Sequence, residues 1–285
     1  MLPAHTASRP GWVRRLSRHP AGLFALGCLL AGGLASGLAG TMAPHDPLKT
    51  SEHVLQAPSA RHLLGTDYLG RDVLSRVIWG ARLSLLVALV SALIASLCGL
   101  VVGGLAGYAG GRLDGLLMRI TDGFMVLPTF FLVLVVVSLF GGGTWTLSAM
   151  IGVTSWPSVA RLVRGEFLAL RAREFVAAAE AMGAPALWIM AWHVLPNALP
   201  VIVVNSALRA GYAMVTEASL GFLGLGDPSA ISLGQMLTNT VQFARTAWWV
   251  AVFPGLAISL FVFAFSLLGE ALNDAMSHDG TAAET

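Results

Sequence analysis

Long apolar runs dominate this sequence and restrict the chain to a fold that crosses a membrane. An α-helix rises 1.5 Å per residue, so about 20 residues are needed to cross a hydrocarbon core of about 30 Å. Transmembrane strands are about 10 residues long and alternate in polarity, which these runs do not. An all-α membrane protein with six transmembrane helices is therefore predicted, at residues 21–43, 83–108, 116–140, 144–161, 198–222 and 248–268. The first run is too long for a signal peptide and is interpreted as an uncleaved anchor.

Charge and cysteine usage exclude several other classes of protein. Only 11% of the residues are charged, against about 25% in a soluble domain, so most of the surface is expected to face lipid. The net charge of +2 gives no reason to expect a nucleic-acid partner. Cys28 and Cys98 lie inside apolar runs, where they are interpreted as packing residues. The single lysine, Lys49, does not follow a glycine-rich turn, so the lysine loop that cradles nucleotide phosphates is missing.

Arginine placement predicts that both termini are cytoplasmic. Short loops weigh most in the positive-inside rule. Ten arginines fall in short segments on one side of the predicted topology, namely Arg9, Arg14, Arg15, Arg18, Arg112, Arg119, Arg161, Arg164, Arg171 and Arg173. The predicted layout is a cytoplasmic tail at residues 1–20, the anchor, a periplasmic loop at residues 44–82, a five-helix core at residues 83–270 and a cytoplasmic tail at residues 271–285.

The 44–82 loop is predicted to end in a helix that lies in the membrane interface. Val73, Leu74, Val77 and Ile78 recur at helical spacing, which is typical of an amphipathic helix. The alternative is a polar extension of the second span. The loop also contains four residues that could ligate a metal ion, namely His45, Asp46, His53 and His62. Their spacing matches no usual ligand pattern, so solvated histidines and no metal site are expected.

Two further segments carry a structural expectation. Gly99, Gly103 and Gly107 are four residues apart, a spacing that allows close helix packing in either a rigid or a moving bundle. The polar insert at residues 161–196 contains a strong helix former that stops at Gly183, with Pro185 opening a second short helix. Its small residues could fit a groove on a partner protein, although a folded loop without a partner remains the alternative.

Four segments of the sequence resemble ABC-importer permease subunits. AAEAMGAPALWIMAWHVLPNALP is similar to the "EAA" loop of those subunits. GTDYLGRDVLSRVIWGARLSL, TEASLGFLGLGDPSAISLGQML and FPGLAISLFVFAFSLLGEALND resemble segments of the dipeptide/oligopeptide/nickel permease family, in its "C"-type inner-membrane subunit. The matches occur in the family's order and extend over residues 44–274, which is most of the chain.

The resemblance implies a type I ABC-importer permease fold whose coupling loop, residues 161–196, docks on an ATPase subunit. The coupling residues implied by the match are Ala178, Ala179, Glu180, Met182, Gly183, Ala184, Val194, Leu195 and Pro196. Three positions depart from the family pattern: Ala177 replaces the usual Glu, Glu180 replaces a basic residue, and Leu233 replaces a Trp. Because of the first two departures, no specific salt bridge to the ATPase is predicted. A short helix followed by a glycine turn is still predicted.

The resemblance also implies partners and a transport function. The chain would be a pore subunit of the bacterial inner membrane with no catalytic residues and no cofactor of its own. ATP and Mg²⁺ would be bound by two ATP-binding subunits or domains. A second homologous permease subunit would complete the pore as a heterodimer, and an extracytoplasmic binding protein would deliver a di- or oligopeptide. Nickel or other metal chelates, glutathione and other small solutes are alternative substrates, although free nickel is disfavoured because the predicted spans contain no histidine.

Two ionisable residues inside the fifth predicted span are candidates for the translocation pathway or gate. Charges at membrane depth usually face the bundle interior or a wet cavity. Arg209 would lie near the middle of the membrane, as a substrate-pathway residue or as half of a structural pair. Glu217 would lie nearer the outer face, where a gating role is favoured. An intramembrane protease and a freestanding channel or secondary transporter are the competing classes. The spans offer no histidine to pair with Ser155 or Ser158 in a protease. A channel or secondary transporter would not require the 161–196 insert, and the two halves of the sequence show no inverted repeat.

Overall fold

A computed structural model describes residues 15, 16, 18–238 and 240–277, and all regular elements in that part of the chain are helices. Most of the predicted N-terminal tail, including Arg9 and Arg14, lies outside the described residues, as do residues 278–285 of the predicted C-terminal tail. The helices, in chain order, are α1 (Pro20–Gly37), α2 (Ala39–Met42), α3 (Val73–Ala109), α4 (Gly111–Val126), α5 (Thr129–Phe140), α6 (Thr144–Arg171), α7 (Glu174–Ala181), α8 (Ala186–Ile189), a π-helical turn (Met190–Val194), α9 (Leu195–Phe222), α10 (Leu233–Met236), α11 (Thr240–Phe243) and α12 (Trp249–Ser277).

Within the described residues, four helical segments are long and apolar enough to cross a membrane. They are Pro20–Gly37, Val73–Ala109, Ala186–Phe222 and Trp249–Met276. The pair α4 and α5, bent by 76° at the break between them, would be a fifth span if it crosses as one unit. The 28-residue helix α6 is long enough, at about 42 Å, but its serines, threonines and arginines keep it out of this set. The six predicted spans are thus matched by four or five.

The predicted interfacial helix is wrong, because Val73 begins a single helix that runs unbroken to Ala109. Asp72 caps this helix by accepting a hydrogen bond from the Ser75 amide at 2.8 Å. Val73 and Arg76 are both buried, so this first turn packs within the protein and does not lie flat on a bilayer. The alternative, a polar extension of the second span, is what the structure has.

Proline positions explain two other differences from the predicted spans. The third predicted span is broken at Pro128, where Leu127 takes an extended conformation (ψ 129°) between α4 and α5. The fourth predicted span is not interrupted at Pro157, because α6 passes through it and continues to Arg171. A proline inside a helix costs about 3 kcal/mol. That cost is offset in α6, which buries twelve residues, whereas α4 buries only Thr121.

The glycines of α3 bring that helix against α6, as their spacing predicts. A Cβ on Gly99 would lie 2.5 Å from Val159 Cβ, and a Cβ on Gly103 would lie too close to the Ala160 carbonyl oxygen. The opposite side of α3 carries exposed leucines and valines at every fourth position, namely Leu89, Leu93, Leu97, Val101 and Leu105. The helix therefore has one face for backbone-to-backbone packing and one apolar face suited to lipid.

Candidate functional site

The first candidate site is a turn between α7 and α8, within residues 174–189, which are called the elbow below. Gly183 has φ +78°, a conformation that favours glycine, and its amide donates to the Glu180 carbonyl at 3.0 Å. The Ala184 amide donates to the Ala179 carbonyl at 3.1 Å. These bonds complete the C-terminal cap of α7 in the manner that the Gly183 stop predicts.

The second short helix of the predicted insert is not separate. The chain passes from α8 through the π-helical turn directly into α9, so the helix that leaves the elbow is the same one that forms the fifth predicted span. The reason is local, because Pro185 suits a helix start and Pro196 directly follows the π-helical turn, where the regular α-helical hydrogen-bond pattern is already interrupted. A displacement of the elbow is thereby connected to α9 without an intervening loop.

The elbow has a buried side and an exposed side. Val176 and Ala179 pack in a core cluster with Phe167 and Ile189. The predicted contact surface is corrected at this point, because Ala179 and Val194 are buried within the chain and cannot touch a partner. Of the other predicted coupling residues, the exposed ones are Ala178, Glu180, Met182, Gly183 and Pro196, and the half-buried ones are Ala184 and Leu195.

One ion pair and one hydrogen bond fix the helix end that leads into the elbow. Arg164 of α6 makes a two-pronged contact with Asp114 of α4, with N–O distances of 2.5 and 2.7 Å. Arg171, the last residue of α6, donates to the Tyr108 carbonyl at 2.5 Å and lies over the Tyr108 ring. The elbow therefore follows an anchored helix end.

The second candidate site is a cavity of about 220 Å³ between α4, α5, α6 and α9. Arg209, Tyr212, Ser155 and Ser158 supply its polar wall. Arg209 Nε and Ser155 Oγ are buried, and neither has a hydrogen-bond partner among the described residues. No carboxylate of the described part of the chain lies within ion-pair distance of Arg209, so a structural pair inside this chain is not observed.

Glu217 lies two turns further along α9, about 12 Å from Arg209, and belongs to a different cluster. The Ser84 hydroxyl donates to Glu217 Oε2 at 2.8 Å and accepts from the Leu233 amide at 3.3 Å. The carboxylate is buried and its Oε1 has no hydrogen-bond partner among the described residues. Glu217 therefore ties α9 to α3 and, through Ser84, to α10, and the structure does not bring it together with Arg209.

Asp227 forms a latch in the loop between α9 and α10 that the sequence reasoning missed. Its Oδ2 accepts from the Thr144 amide at 2.8 Å and from the Thr144 hydroxyl at 2.6 Å, at the start of α6. Burial raises the pKa of Asp227, but hydrogen bonds from Ser229 and Thr144 outweigh it and bring the pKa to about 2. The Asp-Pro-Ser sequence is a signal for the local turn, whereas the contact with Thr144 depends on tertiary structure.

The histidines of the 44–82 loop are not all solvated, which corrects the prediction for His62. Its ring is buried, and its Nδ1 lies 2.9 Å from Asp72 Oδ1. His45 approaches the same oxygen, with Nδ1 at 3.7 Å. Burial raises the pKa of Asp72, but hydrogen bonds from Ser75 and His62 outweigh it, so its pKa lies below the usual value.

Comparison with known proteins gives consistent matches over most of the chain. A family profile described as "Binding-protein-dependent transport system inner membrane component" matches residues 99–278. The "Dipeptide transport system permease protein DppC" of Bacillus subtilis (strain 168) is 37% identical over 96% of this chain and 86% of that protein. The "Probable peptide ABC transporter permease protein y4tQ" of Sinorhizobium fredii is 42% identical over 92% of this chain and 90% of its own length. The "Glutathione transport system permease protein GsiD" of Pectobacterium atrosepticum is 38% identical over 95% and 91%.

Proposed function

Because this chain belongs to the family of binding-protein-dependent transport system inner membrane components, we propose that it forms one half of the pore of an ATP-driven peptide importer. Relatives named for dipeptide or peptide transport match it at 37–42% identity over most of its length. A relative named for glutathione transport matches as well, and glutathione is itself a small peptide. Metal chelates and other small solutes are the less favoured substrates. The observation that carries the proposal is the elbow, a glycine-capped turn that is anchored on one side and exposed on the other.

The elbow is the docking site for an ATP-binding subunit. Val176 and Ala179 hold α7 against the core, so a force on the exposed residues moves α6 and α9 with them. Met182 is 81% exposed, and Leu187 at the foot of α8 is 72% exposed. Apolar side chains exposed in the elbow, outside the apolar spans, are available for contact with a partner protein. The contact rests on shape and apolar area, because Ala177 and Glu180 do not supply the charges usual in the family.

Transport then proceeds by movement of rigid helices. ATP binding closes the two ATP-binding subunits, the elbow follows, and the helix bundle switches between inward-open and outward-open states. The elbow must contact its partner differently in the two states, since only a difference in contact free energy shifts the equilibrium. This chain contributes no covalent chemistry, and ATP and Mg²⁺ are bound by the partner subunits.

The cavity at Arg209 is part of the translocation pathway. An unpaired guanidinium N–H beside two serine hydroxyls and a tyrosine suits carbonyl oxygens or the terminal carboxylate of a peptide. The second permease subunit closes the open side of this cavity. In this assembly α6 and the α4–α5 pair complete six crossings, both termini are cytoplasmic, and the 44–82 loop faces the extracytoplasmic binding protein.

The decisive experiment tests docking and coupling together. Met182→Glu in the complete complex is expected to abolish co-purification of the ATP-binding subunits and ATP-driven peptide uptake by proteoliposomes. Leu63→Glu is the matched control. Leu63 is an apolar residue, 60% exposed, in the 44–82 loop that precedes the N-terminus of α3, far from the elbow in sequence. The control variant should retain the ATP-binding subunits. Peptide uptake by wild-type vesicles without ATP, or normal subunit binding by Met182→Glu, would refute the proposal.

A further inference from the structure

Three potential metal ligands meet where the 44–82 loop folds over the start of α3. His45, His62 and Asp72 each offer a ligand atom, and these atoms lie within 4.8 Å of one another. His62 Nδ1 and His45 Nδ1 lie 2.9 and 3.7 Å from the same carboxylate oxygen, Asp72 Oδ1. The two imidazole ring centroids are 4.8 Å apart. The residues are 17 and 10 positions apart in sequence, so only the folded loop brings them together.

The carboxylate is arranged to leave one oxygen for this cluster. Asp72 Oδ2 accepts hydrogen bonds from both the amide and the hydroxyl of Ser75, at 2.8 and 2.7 Å. Asp72 Oδ1 therefore faces two imidazoles, of which His62 is within hydrogen-bond distance and His45 is not. A simple Asp–His hydrogen bond accounts for His62 and gives no reason for His45 to point its Nδ1 at the same oxygen.

Two of the three ligand–ligand separations suit one small cation, and the third, between the two imidazoles, is at most 4.8 Å. Nitrogen and oxygen ligands bind zinc at about 2.0–2.2 Å with tetrahedral geometry, which separates neighbouring ligand atoms by roughly 3.3 Å. The observed separations of 2.9 and 3.7 Å lie on either side of that value. Two imidazoles and one carboxylate are also a ligand set that coordinates Zn²⁺ in proteins.

We propose that His45, His62 and Asp72 bind a divalent transition-metal cation such as Zn²⁺. His62 and Asp72 are buried, whereas the His45 side chain is 40% exposed, so the ion enters from the His45 side. His45 also lines a cavity of about 720 Å³ with Asp46, Trp79 and Arg82. That cavity provides room for a water molecule or an outside group as the fourth ligand. The ion would fasten the Pro44–His62 part of the loop to the N-terminus of α3.

The same loop provides a matched control in His53. Its Nδ1 lies 3.1 Å from Gln56 Nε2 and its Nε2 lies 3.4 Å from Arg61 Nη1, so polar side chains of the loop lie beside both ring nitrogens. His53 has the same chemistry and a neighbouring position, but it is not one of the converging ligands. Replacing it should leave the proposed site intact.

The test is Zn²⁺ binding to the complete complex in detergent, purified without a histidine tag. Titration calorimetry and metal analysis after dialysis should give one Zn²⁺ per copy of this chain for the wild type and for His53→Ala. His45→Ala should weaken binding at least tenfold, and His62→Ala should do the same if it folds. A chelator should lower the melting temperature of the wild type and of His53→Ala while leaving His45→Ala unchanged.

Two outcomes would overturn the site. One is equal Zn²⁺ affinity in His45→Ala and the wild type, and the other is no stoichiometric Zn²⁺ bound by the wild type at micromolar concentration. Because His45 is partly exposed, its replacement does not depend on refolding a core. The measurement needs no transport, so its failure leaves the proposed importer function untouched, and a failed importer function leaves the metal site untouched.

Discussion

In the proposed importer, Arg209 is the residue whose chemistry would bear most directly on the substrate. Its buried Nε lacks a partner among the described residues and faces a cavity with other polar groups. We expect Arg209→Ala to lower ATP-driven uptake of a dipeptide about 10- to 100-fold, since hydrogen bonds to charged groups contribute about 1.5–3 kcal/mol. Uptake of the same dipeptide with an amidated C-terminus, compared with its own wild-type rate, should fall less. An equal loss for both peptides would indicate that Arg209 acts structurally.

Replacing Glu217 would measure the free energy of leaving a buried polar group inside the helix bundle without its hydrogen-bond partner. Glu217→Ala removes the acceptor of the buried Ser84 hydroxyl and should destabilise the complex by about 1–3 kcal/mol. Glu217→Gln keeps that acceptor in an uncharged side chain, so its thermal stability should stay close to that of the wild type. Glu270→Ala is the control, because Glu270 is exposed on α12. If Glu217→Gln is as unstable as Glu217→Ala, the carboxyl group itself is required.

At the scale of helices, the contact between α3 and α6 depends on small residues. Gly103→Ala should destabilise the complex by about 1–3 kcal/mol, because the added Cβ meets the Ala160 backbone. Gly165→Ala in α6 is the matched control, since a Cβ there has nothing within 4 Å. This control should be neutral or stabilising by up to about 1 kcal/mol. The measurement is the melting temperature of the two purified variants. Equal values would show that α3 and α6 can move apart without loss of stability.

The latch between Asp227 and α6 gives a pH dependence whose sign follows from its lowered pKa. The folded pKa of about 2 lies below the ordinary value of 3.8, so the stabilisation is complete above about pH 4 and is lost as the pH falls towards 2. Because Asp227 is partly exposed, we expect about 1–2 kcal/mol. Asp227→Asn should therefore have a lower melting temperature than the wild type at pH 6, and the difference should shrink below pH 4. A constant difference down to pH 2 would contradict the assignment.

Helix existence could be predicted from this sequence more reliably than helix breaks. The apolar runs located α1, α3, α9 and α12, and Gly183 correctly marked the end of α7. Pro128 and Pro157 look alike in sequence, yet only Pro128 breaks a helix, because the packing of α6 on α3 offsets the cost at Pro157. That packing involves residues more than 50 positions apart, which no local pattern contains.

Among the site residues, those with an unusual local sequence context could be predicted, and those that depend on distant contacts could not. Arg209 and Glu217 stand out in the sequence because charge is rare inside apolar runs, and the structure finds both on α9 in polar surroundings. Asp227 was missed, and His45 and His62 were expected to be solvated, because their contacts depend on partners from distant segments. Ala179 was assigned to the contact surface because small size alone does not say which side of a short helix is buried.

Across the whole molecule, α6 connects the Asp227 latch at one end of the bundle with the elbow at the other. Its first residue, Thr144, is held by the Asp227 latch, and its last, Arg171, is held to α3 just before the elbow. The helix between them is about 42 Å long and packs along the glycine face of α3. In the proposed mechanism, a movement imposed at the elbow would reach the opposite end of the bundle through one continuous helix, which is the geometry that a rigid-body switch requires.

Gly183 allows the mechanical role of the elbow to be separated from its backbone geometry. A Cβ at this position has nothing within 4 Å, but φ is +78°, so most side chains add backbone strain of about 1–3 kcal/mol. Asn tolerates this conformation better than other residues. Gly183→Asn should therefore bind the ATP-binding subunits and transport peptide at close to the wild-type rate.

Gly183→Arg should insert normally in the membrane, yet lose both the subunits and ATP-driven uptake, because a long charged side chain occupies the proposed docking surface. Equal loss in both variants would assign the effect to backbone strain, and wild-type uptake by Gly183→Arg would remove the elbow from the coupling pathway.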